Sequence, residues 1–125
     1  MADKSHNLVK GRKAENLALD FLIKKGYEIL ETNWRNKRAE IDIIAKFRNI
    51  LIFIEVKSRS TDRYGAPELG VTSKKKAMLI AGATSYMEEI DYNWEIHFDI
   101  ISILYNETDQ FVIEHYEDAF FPGIN

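Results

Sequence analysis

The sequence predicts one α/β domain, a mixed central sheet with helices packed against it, in the order α-β-β-β-α-β-β. Three observations lead there. Two stretches, about 7–26 and 72–89, place apolar residues at the three- and four-residue spacing of a helix. Five shorter stretches, three between those helices and two after them, alternate or run apolar with β-branched and aromatic residues, as strands do. The 125 residues suffice for a real core, and no linker, internal repeat or low-complexity tract divides them. The domain is expected to cover 1–125, with its core at about 7–115 and a tail at 116–125.

The first helix is expected to open with Ser5 or Asn7 as its cap and to close at Gly26. Leu8, Gly11, Ala18 and Leu22 share one face, flanked by Leu17 and Phe21, and Glu15 lies on that same packed side. Two readings of Glu15 follow. A long acid can reach the helix edge or pair with an arginine; alternatively it stands beside acids of the sheet and helps hold a metal or its water.

Tyr27 to Arg35 reads as the first strand, centred on Ile29 and Leu30, and Asn36-Lys37-Arg38 as a basic turn. The second strand, about 39–46, puts Glu40, Asp42 and Ile44 on one face and Ile41, Ile43 and Ala45 on the other. The third, about 50–58, puts Leu51, Phe53, Glu55 and Lys57 against Ile52, Ile54 and Val56. A two-residue turn at Arg48-Asn49 sets Asp42 opposite Glu55; a turn centred half a residue earlier shifts the pairing by one.

An extended loop over 58–70 holds Arg59, Arg63, Gly65 and Pro67. Thr72 or Ser73 then caps a helix to about Glu89. Lys74, Lys75 and Lys76 open it, where cations oppose the macrodipole; they make either a solvated turn or a site for something else. Trp94 to Leu104 is the fourth strand, with Trp94, Ile96, Phe98 and Ile100 facing one way and Glu95, His97 and Asp99 the other. Residues 106–109 turn into a fifth strand at 111–115, and the Phe120-Phe121-Pro122 tail packs on the domain or on a second subunit.

Composition narrows the chemistry. The apolar and charged fractions, 46% and 30%, are those of a globular protein. No run nears the roughly 18 apolar residues of a membrane span, so no membrane partner is expected. The first residues lack an apolar signal region, which points to the cytoplasm. Without cysteine there is no thiolate site, and His6, His97 and His115 lack zinc-ligand spacing. Any metal would sit among carboxylates, which suits Mg2+ or Mn2+.

The charges that interrupt the apolar strands are Asp42, Glu55 and Lys57. Burying an unpaired charge costs several kcal/mol or more, so each needs a partner, a metal or a task. Phosphodiester hydrolysis needs an activated water and stabilised charge at phosphorus. Two carboxylates holding a divalent ion, with a lysine beside them, supply both. Asp42 and Glu55 are the expected metal ligands, with the Val56 main-chain carbonyl adding an oxygen. Lys57, on the face of Glu55 and about 7 Å along the strand, is the expected catalytic lysine, and Glu15 the assisting acid.

The net charge of −3 conceals a polar split. All 17 lysines and arginines fall in residues 1–76, with ten acids, net +7; the other 49 residues carry ten acids and none of those bases, net −10. A local positive field is what a polyanion requires. Lys10, Arg12, Lys13, Arg35, Lys37, Arg38, Arg59, Arg63, Lys74 and Lys75 are the expected contacts to nucleic-acid phosphates, made without reading bases. The plainer readings are two solvated faces of opposite sign, or a homodimer that joins them.

Several motifs occur in one order: Gly11-x-x-x-Glu15-x-x-Ala18, Asn33-x-Arg35, Glu40-Ile41-Asp42-x-Ile44-Ala45, Phe53-Ile54-Glu55-Val56-Lys57-x-Arg59, Gly65-x-Pro67, Val71-x-x-x-Lys75 and Phe98-Asp99. Over about 10–100 the chain resembles the YraN-like uncharacterised bacterial family. These are small relatives of the restriction-endonuclease-like, or PD-(D/E)xK, nucleases and of the Holliday-junction resolvases. The resemblance implies a restriction-endonuclease-like α-β-β-β-α-β core, with Asp42 and Glu55 as metal-binding acids, Lys57 as catalytic lysine and Glu15 as the acid of the first helix. Asp99 reads as structural, pairing with an arginine or capping a backbone group. The family usually has glycine where Ala39 stands, and if that backbone needs positive φ, alanine costs roughly 1 kcal/mol or more. The expected function is a Mg2+- or Mn2+-dependent endonuclease acting on DNA, branched or damaged DNA included. The alternatives are a non-catalytic nucleic-acid-binding module on the same fold, or a protein-interaction or assembly protein.

Overall fold

Seven elements form from the expected stretches: α1 (Lys4–Lys24), β1 (Glu28–Asn36), β2 (Ala39–Phe47), β3 (Ile50–Ser60), α2 (Ser73–Glu89), β4 (Ile96–Tyr105) and β5 (Phe111–Tyr116). The computed structural model describes residues 4–60, 72–106, 108 and 110–120; the side chains described begin at Arg12 and leave out Ser60. The five strands lie in chain order across one sheet. All neighbours are antiparallel except β3 and β4, which run parallel. A parallel pair needs a crossover, and α2 lies on it. The result is the single α/β domain that the alternation pattern predicts.

Turn chemistry fixes the register. Phe47 pairs with Ile50 across Arg48 and Asn49, whose φ angles of 52° and 65° are those of a type I′ hairpin turn. The two-residue turn is therefore the one formed. Asn36 pairs with Ala39 in the same way across Lys37 and Arg38, with Lys37 at φ 56°. The positive φ of this turn thus falls on Lys37, and Ala39 begins a regular strand. At the end of α1, Gly26 takes φ 97°, while its N–H bonds to Ile23 and that of Tyr27 to Leu22. This double closure satisfies carbonyls that the last turn leaves open.

Each helix covers one face of the sheet. Beneath α1, Ala14, Ala18 and Leu22 meet Ile43, Ala45, Ile52, Ile54, Ile101 and Ile103. Beneath α2, Leu79, Ala83 and Tyr86 meet Ile41, Ile44, Leu51, Phe53, Phe98 and Ile100. Phe120 joins this second core, stacked on Phe98 at 4.9 Å, and the Ala119 N–H donates to the Phe98 carbonyl at 2.7 Å. The start of the tail therefore packs on its own domain; Phe121 and Pro122 lie outside the described residues.

Three local expectations are corrected. Ser5 and Asn7 do not cap α1, because the helix already runs from Lys4 and encloses both. Trp94 is not in β4, which starts at Ile96; its side chain is 73% exposed. Strict alternation in β2 also fails, since Ile41 packs beneath α2 with Ile44 while Ile43 packs beneath α1. The phase changes at Asp42.

Ala39 closes a tight packing point. A Cβ added at Gly82 of α2 would lie 3.0 Å from the Ala39 Cβ and 3.2 Å from Ile41 Cδ1. Gly→Ala in a helix interior ordinarily stabilises by about 1 kcal/mol. Here overpacking against a backbone-fixed methyl outweighs that gain. Gly82→Ala is expected to lower stability by about 1 kcal/mol, and Ala39→Gly in the same chain to restore it. A double-mutant cycle by chemical denaturation measures this coupling; simple additivity would reject the contact.

Candidate metal centre

The hairpin opens where its charges begin. The β2–β3 ladder runs from Phe47↔Ile50 to Ile43↔Ile54, and the next pair in register would be Asp42 with Glu55. There the Asp42 side chain intervenes: its Oδ2 accepts the Val56 N–H at 2.8 Å. β3 continues alongside β4 as far as Ser60↔Tyr105. At the opening Asp42 comes within electrostatic reach of one acid from α1 and one from β3.

From the α1 side comes Glu15, half-buried, with Oε1 enclosed and lacking any hydrogen-bond partner. Its carboxyl is held above the ordinary range by burial first and by the Asp42 charge second, while the Asn33 side chain pulls it partly back. From β3 comes Glu55, with Oε2 equally enclosed and unpartnered. Burial raises its pKa and the Asp42 charge adds to the effect; Lys75 and Lys57 oppose it. Asp42 itself is raised by burial, against the Val56 N–H and the Lys75 charge. Three acids that each resist ionisation thus share one neighbourhood.

The sign of these shifts has a measurable consequence. A carboxyl whose folded pKa exceeds its unfolded value destabilises the fold at neutral pH and above, where it is charged in both states. That penalty is relieved as pH falls through the raised values, and is gone below the ordinary values of 3.8 for Asp and 4.5 for Glu. The melting temperature in a chelating buffer is expected to rise from pH 8 to about 5, against the usual acid trend. Differential scanning calorimetry across that range checks it; a steady fall would contradict the burial of these acids.

Two residues belong here that the sequence reading left elsewhere. Asn33 is opposite Asp42 in the β1–β2 register, between Thr32↔Ile43 and Trp34↔Ile41, with φ 50°. Asparagine tolerates positive φ better than most residues, which is the one signal for such a position. Lys75 was expected among the phosphate contacts. Its Nζ is instead 3.4 Å from Glu55 Oε1, reached from the first turn of α2, where Thr72 caps the Lys75 N–H at 3.1 Å.

The other expected residues are distributed around this point. Lys57 follows Glu55 on β3, half-buried and near enough to lower its pKa. Arg59 is further along the same strand. Arg12 and Lys13 are exposed on α1, with Lys13 Nζ 4.9 Å from the Phe111 ring centre. Arg35 is exposed and pairs with Glu40 at 3.3 Å. Lys37 and Arg38 border a cavity of about 390 Å³ against Met78, Ala81 and Ser85 of α2. Lys74 is exposed at the start of α2. The Lys10 side chain and all of Arg63 lie outside the described residues, as do Gly65 and Pro67. Among the described residues, no three His, Asp or Glu side chains stand together in a metal-binding group. The fit to a divalent ion rests instead on two carboxylates and a main-chain oxygen. Mg2+ tolerates such a set, because it keeps several waters. The unpartnered oxygen of Glu55 fits that use, and that of Glu15 fits a bound water. No helix among the described residues is long and apolar enough to cross a membrane.

Asp99 fills a structural position, as expected, though its side-chain partner is a histidine. Its Oδ2 accepts from His115 Nε2 at 2.7 Å and its Oδ1 from the Asp118 N–H at 2.8 Å. The second imidazole nitrogen of His115 takes a bond from Lys25 Nζ at 2.9 Å.

Comparison with known proteins covers these same elements. The model of uncharacterised protein family UPF0102 matches residues 14–103, from α1 into β4. A UPF0102 protein of Flavobacterium psychrophilum is 48% identical over 111 residues, covering 89% of this chain and 92% of its own. One from Thermodesulfovibrio yellowstonii is 44% identical over 89% of this chain and 95% of its own, and one from Rhodococcus opacus 37% identical over 93% and 99%. Match length and mutual coverage lead to one conclusion: the chain belongs to the UPF0102 family.

Proposed function

We propose that this protein is a divalent-metal-dependent endonuclease that hydrolyses phosphodiester bonds in DNA, branched or damaged DNA among its substrates. The observation that carries the reading is the pair of enclosed, unpartnered carboxylate oxygens, Glu55 Oε2 and Glu15 Oε1, beside Asp42 where the hairpin opens. Natural proteins rarely leave such atoms without a partner unless a ligand supplies one. Asp42, Glu55 and the Val56 carbonyl would hold Mg2+ or Mn2+. The ion, when bound, supplies a more acidic water and neutralises charge at the phosphate.

The chain's own groups divide the remaining work. Lys57 orients the attacking water or holds a phosphate oxygen through its ammonium. Glu15, whose enclosed Oε1 has no partner in the fold, would accept the proton from that water. Asn33 keeps Glu15 turned towards Asp42. Arg12, Lys13, Lys37, Arg38 and Lys74 are exposed and would contact the DNA backbone, so binding should weaken steeply with salt.

A binding-only reading has one observation in its favour: a lysine already neutralises part of the acid cluster, at Lys75–Glu55. The two readings separate in one assay, cleavage of junction, flap and single-stranded DNA at low salt with Mg2+ or Mn2+. Cleavage that a chelator stops supports the nuclease. Salt-sensitive binding with no cleavage in either metal supports the module.

A further inference from the structure

We infer that Lys75 is a resident counter-ion of the metal centre, which a divalent cation must displace from Glu55 in order to bind. This rests on the metal-site reading above. Lys75 Nζ is 3.4 Å from Glu55 Oε1, and Glu55 is the most enclosed member of the contact, its side chain 13% exposed against 41% for Lys75. The ammonium therefore has the wider route to solvent of the two. The other Glu55 oxygen is enclosed and empty-handed. One lysine satisfies half of a group that a divalent ion would satisfy whole.

The position of Lys75 makes the contact easy to reverse. Its backbone is fixed in the first turn of α2 by the Thr72 cap, so the ammonium sits at the positive end of a helix dipole. Lys74 and Lys76 flank it in sequence, and Lys57 also acts on Glu55. Every one of these positive groups disfavours the ammonium where it stands; Glu55 and Asp42 are the charges that favour it. A divalent cation at Glu55 removes that attraction and adds repulsion. Lys75 then turns out to solvent, away from Glu55 and the helix end, as one more cation available to a polyanion. The exchange makes metal loading and the exposure of one more cation a single event. By linkage, each favours the other.

The test is Mn2+ binding to the full chain by calorimetry, without DNA, for the parent protein, Lys75→Met and Lys75→Arg. Lys75→Met is expected to bind Mn2+ about ten-fold more tightly, on the scale of a partly buried ion pair. Lys75→Arg, which keeps the competing charge, is expected to bind no more tightly than the parent. Adding Mn2+ should also raise the melting temperature of Lys75→Met by more than that of the parent, because Lys75 no longer competes for Glu55. Unchanged or weaker Mn2+ binding by a folded Lys75→Met protein would overturn the inference, as would absence of binding in all three. The outcome is separable from the nuclease reading. Tighter Mn2+ binding in a protein that cuts nothing keeps the inference and defeats the enzyme; a Mn2+-dependent nuclease indifferent to Lys75→Met does the reverse.

Discussion

Asp42→Asn is expected to melt at a higher temperature than the parent protein in chelating buffer, while losing DNA cleavage by at least about 10³-fold. The two effects share a cause. Asp42 is charged in a place where burial opposes charge, and it raises the pKa of both Glu15 and Glu55. An amide keeps an oxygen for the Val56 N–H, so the hydrogen bond that opens the hairpin survives. What disappears is the repulsion, together with an anionic ligand. Lys57→Ala is expected to lose cleavage to a similar degree while binding Mn2+ as before, because it removes no ligand. Cleavage rates and Mn2+ calorimetry on both variants give the result. Activity unchanged in both would sink the mechanism, and an Asp42→Asn protein less stable than the parent would contradict the electrostatics.

The largest expected loss of stability lies on another part of the sheet. His115→Ala should destabilise the fold by about 3 kcal/mol, the cost of leaving a buried carboxylate oxygen without its donor together with the lost packing of the ring. The Asp99 and His115 side chains are 1% and 3% exposed, so the donor lost at Oδ2 is one that bulk water does not already supply. Phe21 and Tyr27 meet the imidazole edge-on at 5.9 and 5.7 Å, so their packing is lost with it. Asp99→Asn should cost less, since an amide oxygen can still accept one of the two bonds. Urea denaturation measures both. Cleavage per folded molecule should be unchanged, because Lys25, which closes this cluster, and Glu15 are separated along α1 by about 15 Å.

How much of this was legible beforehand depends on the distance over which each feature is decided. The Arg48-Asn49 turn sits between alternating strands, and its local chemistry offered the register that forms, Phe47↔Ile50 to Ile43↔Ile54, beside one shifted by a residue. The Thr72 cap and the Gly26 closure are equally local. Trp94 misled, because alternation continues through Trp94-Glu95-Ile96 although the strand does not; pairing with β3 starts at Ile96. The change of face at Asp42 lies opposite the positive φ of Asn33, which sequence suggests only weakly. Lys75 against Glu55, and His115 against Asp99, depend on how helix and strand meet in space, and no spacing encodes them. Glu15 was legible as an anomaly on a packed face, with the strand acids offered as its neighbours, but its bond to Asn33 was not.

The Val56 N–H bonds to a carboxylate where the ladder would otherwise have given it a carbonyl. One backbone amide is thereby tied to the chemical state of the acid cluster. In a nitrogen–proton correlation spectrum, the Val56 resonance should move when Asp42 gains a proton or shares its charge with a cation. Resonances of the ladder from Ile43 to Phe47 should stay nearly still. A single peak then reads the occupancy of the centre directly, without substrate and without turnover.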